Sequence, residues 1–312
     1  MNLKVAFFTE MGFVGKVPRD HTNMRTEFAW MVALNADHHH LTAVPEENYD
    51  LAMVILPKNK PIPRDIKNIR NKCKVVAFIQ EGPADYFQDY EIADQINYFN
   101  YFASNPVFAH NEIDAAYYEG LTQNEHVHVL PSLMIPEVLK DVHLEIKENR
   151  KDTIIGGNFV KWYGGFDSYI AARNVDHPIW APSMGRKKMY EEGIVKHIPY
   201  VDWKAWMVEL SKFKVGVHLM KTFAAGTFAL NCSFLGIPCV GYKGLDTQEG
   251  LHPHTSVEVN DVGDAAYLVK KLYDYEGFYT MCSESTSQAF LTWPDEKDIQ
   301  SIVIDAYDQW IK

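Results

Sequence analysis

The stretch Lys214–Tyr242, KVGVHLMKTFAAGTFALNCSFLGIPCVGY, leaves few folds open to this chain. Val215–Met220 is a short apolar run of the kind that forms a strand buried on both faces. Ala224-Ala225-Gly226-Thr227 is a loop of small residues, Phe228–Leu235 predicts a short helix, and Cys239–Tyr242 predicts a second strand. Gly236, Ile237 and Pro238 end the helix and turn the chain into that strand. A loop like the one at Gly226 can bring backbone N–H groups and a helix N-terminus to face one point, which is how proteins hold a phosphate or diphosphate. The same residues also suit an ordinary turn of a parallel sheet. The local chemistry leaves both readings open.

The rest of the chain alternates in the same way. Leu3–Thr9 is a continuous apolar run, followed by a loop carrying Gly12, Gly15 and Pro18 and by a helix expected near Asn23–Ala36. His40–Val44, Leu51–Leu56, Lys74–Ile79, Val107–Ala109 and Val127–Leu130 read as further strands, with helices at Pro61–Asn71, Tyr90–Phe102 and Ile113–Gly120. Residues 135–151 are dominated by charge and read as a linker. A second alternating set follows: strands at Thr153–Gly157, Pro178–Ala181 and Ser256–Val259, and helices at Asp167–Arg173, Trp203–Phe213, Asp264–Tyr273 and Asp295–Ile311. The pattern predicts an α/β protein of two doubly wound, Rossmann-like domains, residues 1–134 and 152–312, the last helix packing back on the first domain. In such sheets ligands sit beyond the carboxyl ends of the strands.

Hydrophobic residues make up 47% of the 312 residues, which suits a chain with packed cores rather than a disordered one. No apolar run approaches the roughly 20 residues of a membrane helix, so no membrane partner is expected. The opening MNLKVAFFTEMG passes directly into a strand-like run without a signal-peptide pattern, and the expected location is cytoplasmic, the host-cell cytoplasm for a viral protein. Cys73, Cys232, Cys239 and Cys282 lack metal-ligand spacing and read as reduced core thiols. The net charge of −11 argues against indiscriminate nucleic-acid binding but leaves room for a local basic groove. His38-His39-His40 cannot all reach one ion, because successive strand residues face opposite ways, and no metal ligand is assigned.

Two segments carry a resemblance to the GT-B glycosyltransferases. They are Gly156-Gly157-Asn158-Phe159, and Gly226-Thr227-Phe228-Ala229-Leu230-Asn231 followed by Leu235-Gly236-Ile237-Pro238-Cys239-Val240. The second is similar to the G-x-x-x-L-E-A-x-x-x-G-x-P-V-V signature of GT-B donor domains. Many retaining members carry Glu-x(7)-Glu there, whereas this chain has Phe223 and Asn231. A narrower likeness is to the base-modifying glucosyltransferases of tailed bacteriophages, in which a strand ends on an acidic base and a YGGSF-R run grips the diphosphate. Here Ala77-Phe78-Ile79-Gln80-Glu81 and Ile155-Gly156-Gly157-Asn158-Phe159-Val160-Lys161 hold similar places.

The resemblance implies two domains facing a cleft and a nucleotide-diphosphate sugar donor, a UDP-sugar foremost, with no metal strictly required. It implies an acceptor hydroxyl, a hydroxymethylated pyrimidine in DNA being the narrower expectation. A glycan, a lipid-linked or a small-molecule acceptor is the alternative, and a non-catalytic nucleotide-sugar-binding module is the rival from another class. Glu81 is the candidate base that takes the acceptor proton, with Asp85 in reserve. Gly12, Gly15, Gly157, Asn158, Lys161, Arg173, Lys221, Gly226, Thr227 and Asn231 are the candidate donor-binding residues, Lys221 foremost among the cations. Asn231 is expected to reach a ribose hydroxyl. His252, His254, Asp246, Gln248 and Glu249 share a loop suited either to reading sugar hydroxyls or to plain surface. Lys16, Arg19, Arg25, Lys58 and Lys60 are the charges available for a basic groove.

Overall fold

The computed structural model describes residues 3–55, 66–80, 91–100, 105–122, 126–157, 159, 163–183, 193–221 and 225–312. The chain divides into two units, Met1–Ile135 with Pro294–Lys312, and Pro136–Trp293.

The first unit is built on strands β1 (Val5–Thr9), β2 (Gly15–Lys16), β3 (Asp37–His40), β4 (Tyr49–Ile55), β5 (Cys73–Gln80), β6 (Val107–Ala109) and β7 (Val127–Val129). Their order is β2-β3-β1-β4-β5-β6-β7, parallel except for the antiparallel edge pair β2–β3. Helices α1 (Thr26–Ala33), α2 (Ile66–Arg70), α3 (Ile92–Asn100) and α4 (Glu112–Thr122) are its crossovers. The apolar runs are buried on both faces, so Phe7 and Phe8 are both inaccessible although they point opposite ways.

The second unit contains β8 (Lys151–Ile155), α5 (Gly165–Ala172), β9 (Ile179–Pro182), β10 (Lys196–Ile198), α6 (Trp203–Leu210), β11 (Phe213–His218), α7 (Thr227–Phe234), β12 (Cys239–Tyr242), α8 (Asp246–Leu251), β13 (Ser256–Val257), α9 (Val262–Asp274) and α10 (Glu276–Phe290). Its sheet is parallel, in the order β10-β9-β8-β11-β12-β13. The last helix, α11 (Glu296–Trp310), belongs to the first unit. A capping box of Asp295 and Asp298 starts it, Gln300 donates to the Ala33 carbonyl at 2.6 Å, and Trp310 sits edge-on to Phe108 at 5.1 Å.

Both sheets are the doubly wound type that the alternation predicts. Four elements escape the periodicity: β2, β10, α8 and the whole of α10. The strand expected at His40–Val44 forms earlier, at Asp37–His40, because the histidines there are satisfied from inside. His38 Nδ1 donates to the Phe13 carbonyl (2.7 Å), which can only accept, so in the neutral ring Nε2 accepts from Thr9 Oγ1 (2.8 Å). Thr9 Oγ1 in turn accepts the Met11 N–H at 3.1 Å. His39 stacks on Phe8 and meets Tyr49, while His40 turns to Thr42. Among the described residues no group of three or more His, Cys, Asp or Glu side chains is placed to hold a metal ion. All four cysteines are buried and free of disulfides.

Candidate functional site

In each unit the strand order reverses beside the first strand of the unit: between β1 and β4, and between β8 and β11. Ligands of doubly wound sheets bind outside the carboxyl ends of the strands at such reversals. In the second unit the loops that leave β8 and β11 are therefore the first place to look. They carry Gly156-Gly157 and Leu219–Lys221.

The two loops are stitched together by α5. Leu219 N–H donates to Ser168 Oγ at 2.9 Å, which fixes the chain as it leaves β11. Gly164 caps α5 in the left-handed conformation (φ 65°), pressed against the backbone of Leu219; a Cβ there would lie 1.9 Å from the Leu219 carbonyl oxygen. Asp167, in the first turn of α5, accepts Lys221 Nζ at 3.0 Å and the Tyr242 hydroxyl at 2.9 Å. Lys221 is thereby held at the strand end with its side chain 43% exposed. Burial and then Asp167 push the Tyr242 phenol far above its ordinary range, so it stays a hydrogen-bond donor.

A second helix opens nearby in the chain. Gly226 (φ 68°) caps α7 without a side-chain cap, and a Cβ there would strike Thr247 Oγ1 at 1.8 Å. The first N–H groups of a helix lack intrahelical partners, and the helix dipole makes that end favourable to anions. α5 and α7 both follow strands of this sheet, so both present their N-termini at its carboxyl end. Gly157, Lys221, Gly226 and Thr227 thus lie on the loops and helix starts at the carboxyl end of one sheet.

Other candidate residues lie elsewhere in the second unit. Arg173 stands just beyond the last turn of α5, about 12 Å along the helix from Gly165, at the end remote from the loops. Asn231 is 2% exposed inside α7, and its Oδ1 accepts from Trp203 Nε1 at 3.4 Å. His252 is also a core residue. Its Nε2 meets the Ala229 carbonyl (2.8 Å), and its Nδ1 meets the Cys239 N–H (3.3 Å) and Thr286 Oγ1 (3.0 Å). Gln248 braces the Cys239 carbonyl from the same side at 2.9 Å. Both residues tie α8 to β12.

In the first unit, Gly12 follows β1 with open space beside it. Gly15 instead lies in the edge strand β2, paired with His38, so its work is structural. The cations expected to build a groove have acidic neighbours: Lys16 with Asp37 (3.5 Å), Arg19 with Glu296, and Arg25 with Glu27 (3.3 Å). Glu81, Asp85, Asn158 and Lys161 lie outside the described residues, as do Lys58 and Lys60.

Of the histidines that went unread in the sequence, two stand at strand ends. His110 directly follows β6, buried and stacked on Trp30 at 5.2 Å. His218 ends β11 and is 8% exposed; burial alone pulls its pKa down to about 4, so it is neutral near pH 7. The available signal was a histidine closing an apolar strand run.

No family model and no curated sequence matches the chain. Solved structures do. Anabaena HepE in complex with UDP-glucose superposes with a TM-score of 0.66 at 11% identity, over 97% of this chain and 99% of that one. An alpha-glucosyltransferase in complex with UDP and a 13-mer DNA containing a HMU base gives 0.63 at 11% identity, over 98% and 99%. TarM gives 0.62 at 10% identity over 85% of this chain, which spans only 56% of TarM. At these identities the likeness is one of fold: the chain has the GT-B glycosyltransferase architecture.

Proposed function

We propose that the protein is a glycosyltransferase that moves a sugar from a UDP-sugar to an acceptor hydroxyl, with the donor held at the carboxyl end of the second unit's sheet. The observation that carries this reading is the joining of the β8 and β11 loops beside the strand reversal, where Lys221 is fixed by Asp167 and α5 and α7 open on left-handed glycines. It rests also on a fold shared with structures that hold UDP or UDP-glucose.

In the chemistry we propose, Glu81 takes the proton of the acceptor hydroxyl, with Asp85 in reserve. The oxygen forms a bond to the anomeric carbon as the bond from that carbon to the diphosphate breaks. Charge grows on the departing UDP, where helix N–H groups at Gly226 and Thr227, together with Gly157, Asn158, Lys161 and Lys221, are to meet it. Charge supplied by side chains and amides in this way needs no metal ion.

The acceptor turns on charge. A hydroxymethylated pyrimidine in DNA calls for a cationic track along a phosphate backbone. Lys16, Arg19 and Arg25 are instead paired with acids, and the net charge is −11. These observations favour a glycan or small-molecule acceptor over DNA.

A thermal-shift screen against UDP, GDP, ADP and their sugars tests the donor. A ligand at 100 times its dissociation constant adds about 2.7 kcal/mol, a shift of several degrees. A shift with UDP and UDP-sugars is expected, and none with any nucleotide defeats the reading. Transfer to hydroxymethylated duplex DNA, but not to free sugars, would reverse the acceptor choice. Unchanged transfer by Glu81→Ala would move the base elsewhere. Unchanged donor binding by a wild type without any transfer would favour the binding-module rival.

A further inference from the structure

We propose that His218 is a direct donor-binding residue, its Nε2 completing the coordination of the UDP diphosphate against the Gly156-Gly157 turn. The inference rests on the donor site proposed above and adds to it a residue that neither the glycine loops nor the cations announce.

His218 Nε2 is inaccessible to solvent and has no hydrogen-bond partner among the described residues. A buried polar group without a partner is costly, and proteins rarely keep one without a reason. Its described neighbours are mostly apolar or backbone. The ring stands edge-on to Phe228 (5.4 Å), which has no polar atom to offer, and tilted to Tyr163 (6.5 Å). The β8 turn lies against another side of the ring. A Cβ on Gly156 would lie 2.7 Å from His218 Cγ, and one on Gly157 would lie 3.2 Å from Nε2. Two successive glycines let the backbone lie against the imidazole where any side chain would fill the space. Nε2 is therefore aimed at the turn beside the strand reversal, where the donor's phosphates are placed by the α5 and α7 termini.

The state of the ring suits this role. Desolvation keeps it neutral, and the tautomer protonated at Nε2 offers an N–H to a phosphate oxygen without a standing buried charge. A hydrogen bond to a charged acceptor is about twice as strong as a neutral one. The unpaired group in the free protein and the paired one in the complex make ligand binding the event that satisfies it.

The test is isothermal titration of UDP into the full-length wild type, His218→Phe and His218→Gln, with the melting temperature of each ligand-free protein. Phenylalanine keeps the ring volume and removes the unpaired nitrogen. His218→Phe is expected to melt at or above the wild-type temperature while its UDP dissociation constant rises about tenfold or more. His218→Gln, which restores an N–H at similar reach, is expected to bind within about threefold of wild type. Wild-type affinity in His218→Phe overturns the assignment, as does parallel loss of melting temperature and affinity in both variants, which marks a purely structural residue. If His218→Phe does not fold, tenfold weaker binding by a stable His218→Gln also overturns it. A wild type that binds no UDP defeats the donor site itself, and the assignment with it.

Discussion

Gly164→Ala is the substitution whose consequence follows most directly from the geometry. The new Cβ would lie 1.9 Å from the Leu219 carbonyl oxygen, where heavy-atom contacts stop at about 3.0 Å, and the neighbour is backbone that no rotamer change can remove. The left-handed φ of 65° adds its own cost, about 1 kcal/mol for alanine. Forcing the α5 start from the β11 exit by about 1 Å in a packed site costs about 1–3 kcal/mol more. The expected loss is about 2–4 kcal/mol, which lowers the melting temperature by about 5–15 °C. The displacement acts on the segment that carries the Leu219–Ser168 hydrogen bond and Lys221, so UDP affinity should fall with it. Circular dichroism melts against Gly120→Ala provide the control. Gly120 lies in α4 with open space beside it, and alanine there should stabilise by about 0.5–1 kcal/mol. A Gly164→Ala protein melting within a degree or so of wild type would refute the close approach of the two loops.

Lys221→Gln should weaken UDP binding about tenfold to a hundredfold, as a lost charge-assisted contact, while costing under about 1 kcal/mol of stability because the pair with Asp167 is partly exposed; titration calorimetry and melts separate the two effects. Asn231→Glu, which installs the acid that the related signature carries, should destabilise by about 3 kcal/mol or more in urea unfolding, because the site is buried. His218 and His252 both have folded pKa values of about 4 against 6.5 unfolded, so protonation favours the unfolded chain and stability falls as pH drops through that window. Between pH 7 and pH 5 each should cost about 2 kcal/mol in urea unfolding, and His218→Phe should remove about half of the combined loss.

The sheets were legible because parallel strands buried on both faces leave continuous apolar runs, and β12 and β6 were read to the residue at Cys239–Tyr242 and Val107–Ala109. What escaped was hidden by polar residues that the fold satisfies internally. α10 buries Tyr279, Cys282, Ser283 and Thr286, so half of its inner face is hydroxylic and its helical period is invisible to a hydrophobic count. Ser283 Oγ donates to the Gly236 carbonyl at 2.7 Å and Thr286 meets His252, interactions no periodicity announces. His252 and Gln248 read as loop residues for the same reason, and α8 was missed with them. The glycine turns of the proposed donor site were legible as turns, since left-handed positions select glycine. That Lys221 is the cation fixed there by Asp167, and that Arg173 stands at the far end of α5, depended on helix lengths that the sequence defines only loosely.

Hydrogen exchange of the full-length protein, with and without saturating UDP-glucose, tests the central claim most directly. The account predicts slowed exchange in the peptides covering residues 155–157, 163–168, 218–221 and 225–231, the loops and helix starts at one end of the second unit's sheet. Protection confined to other segments, or none at saturation, would contradict it.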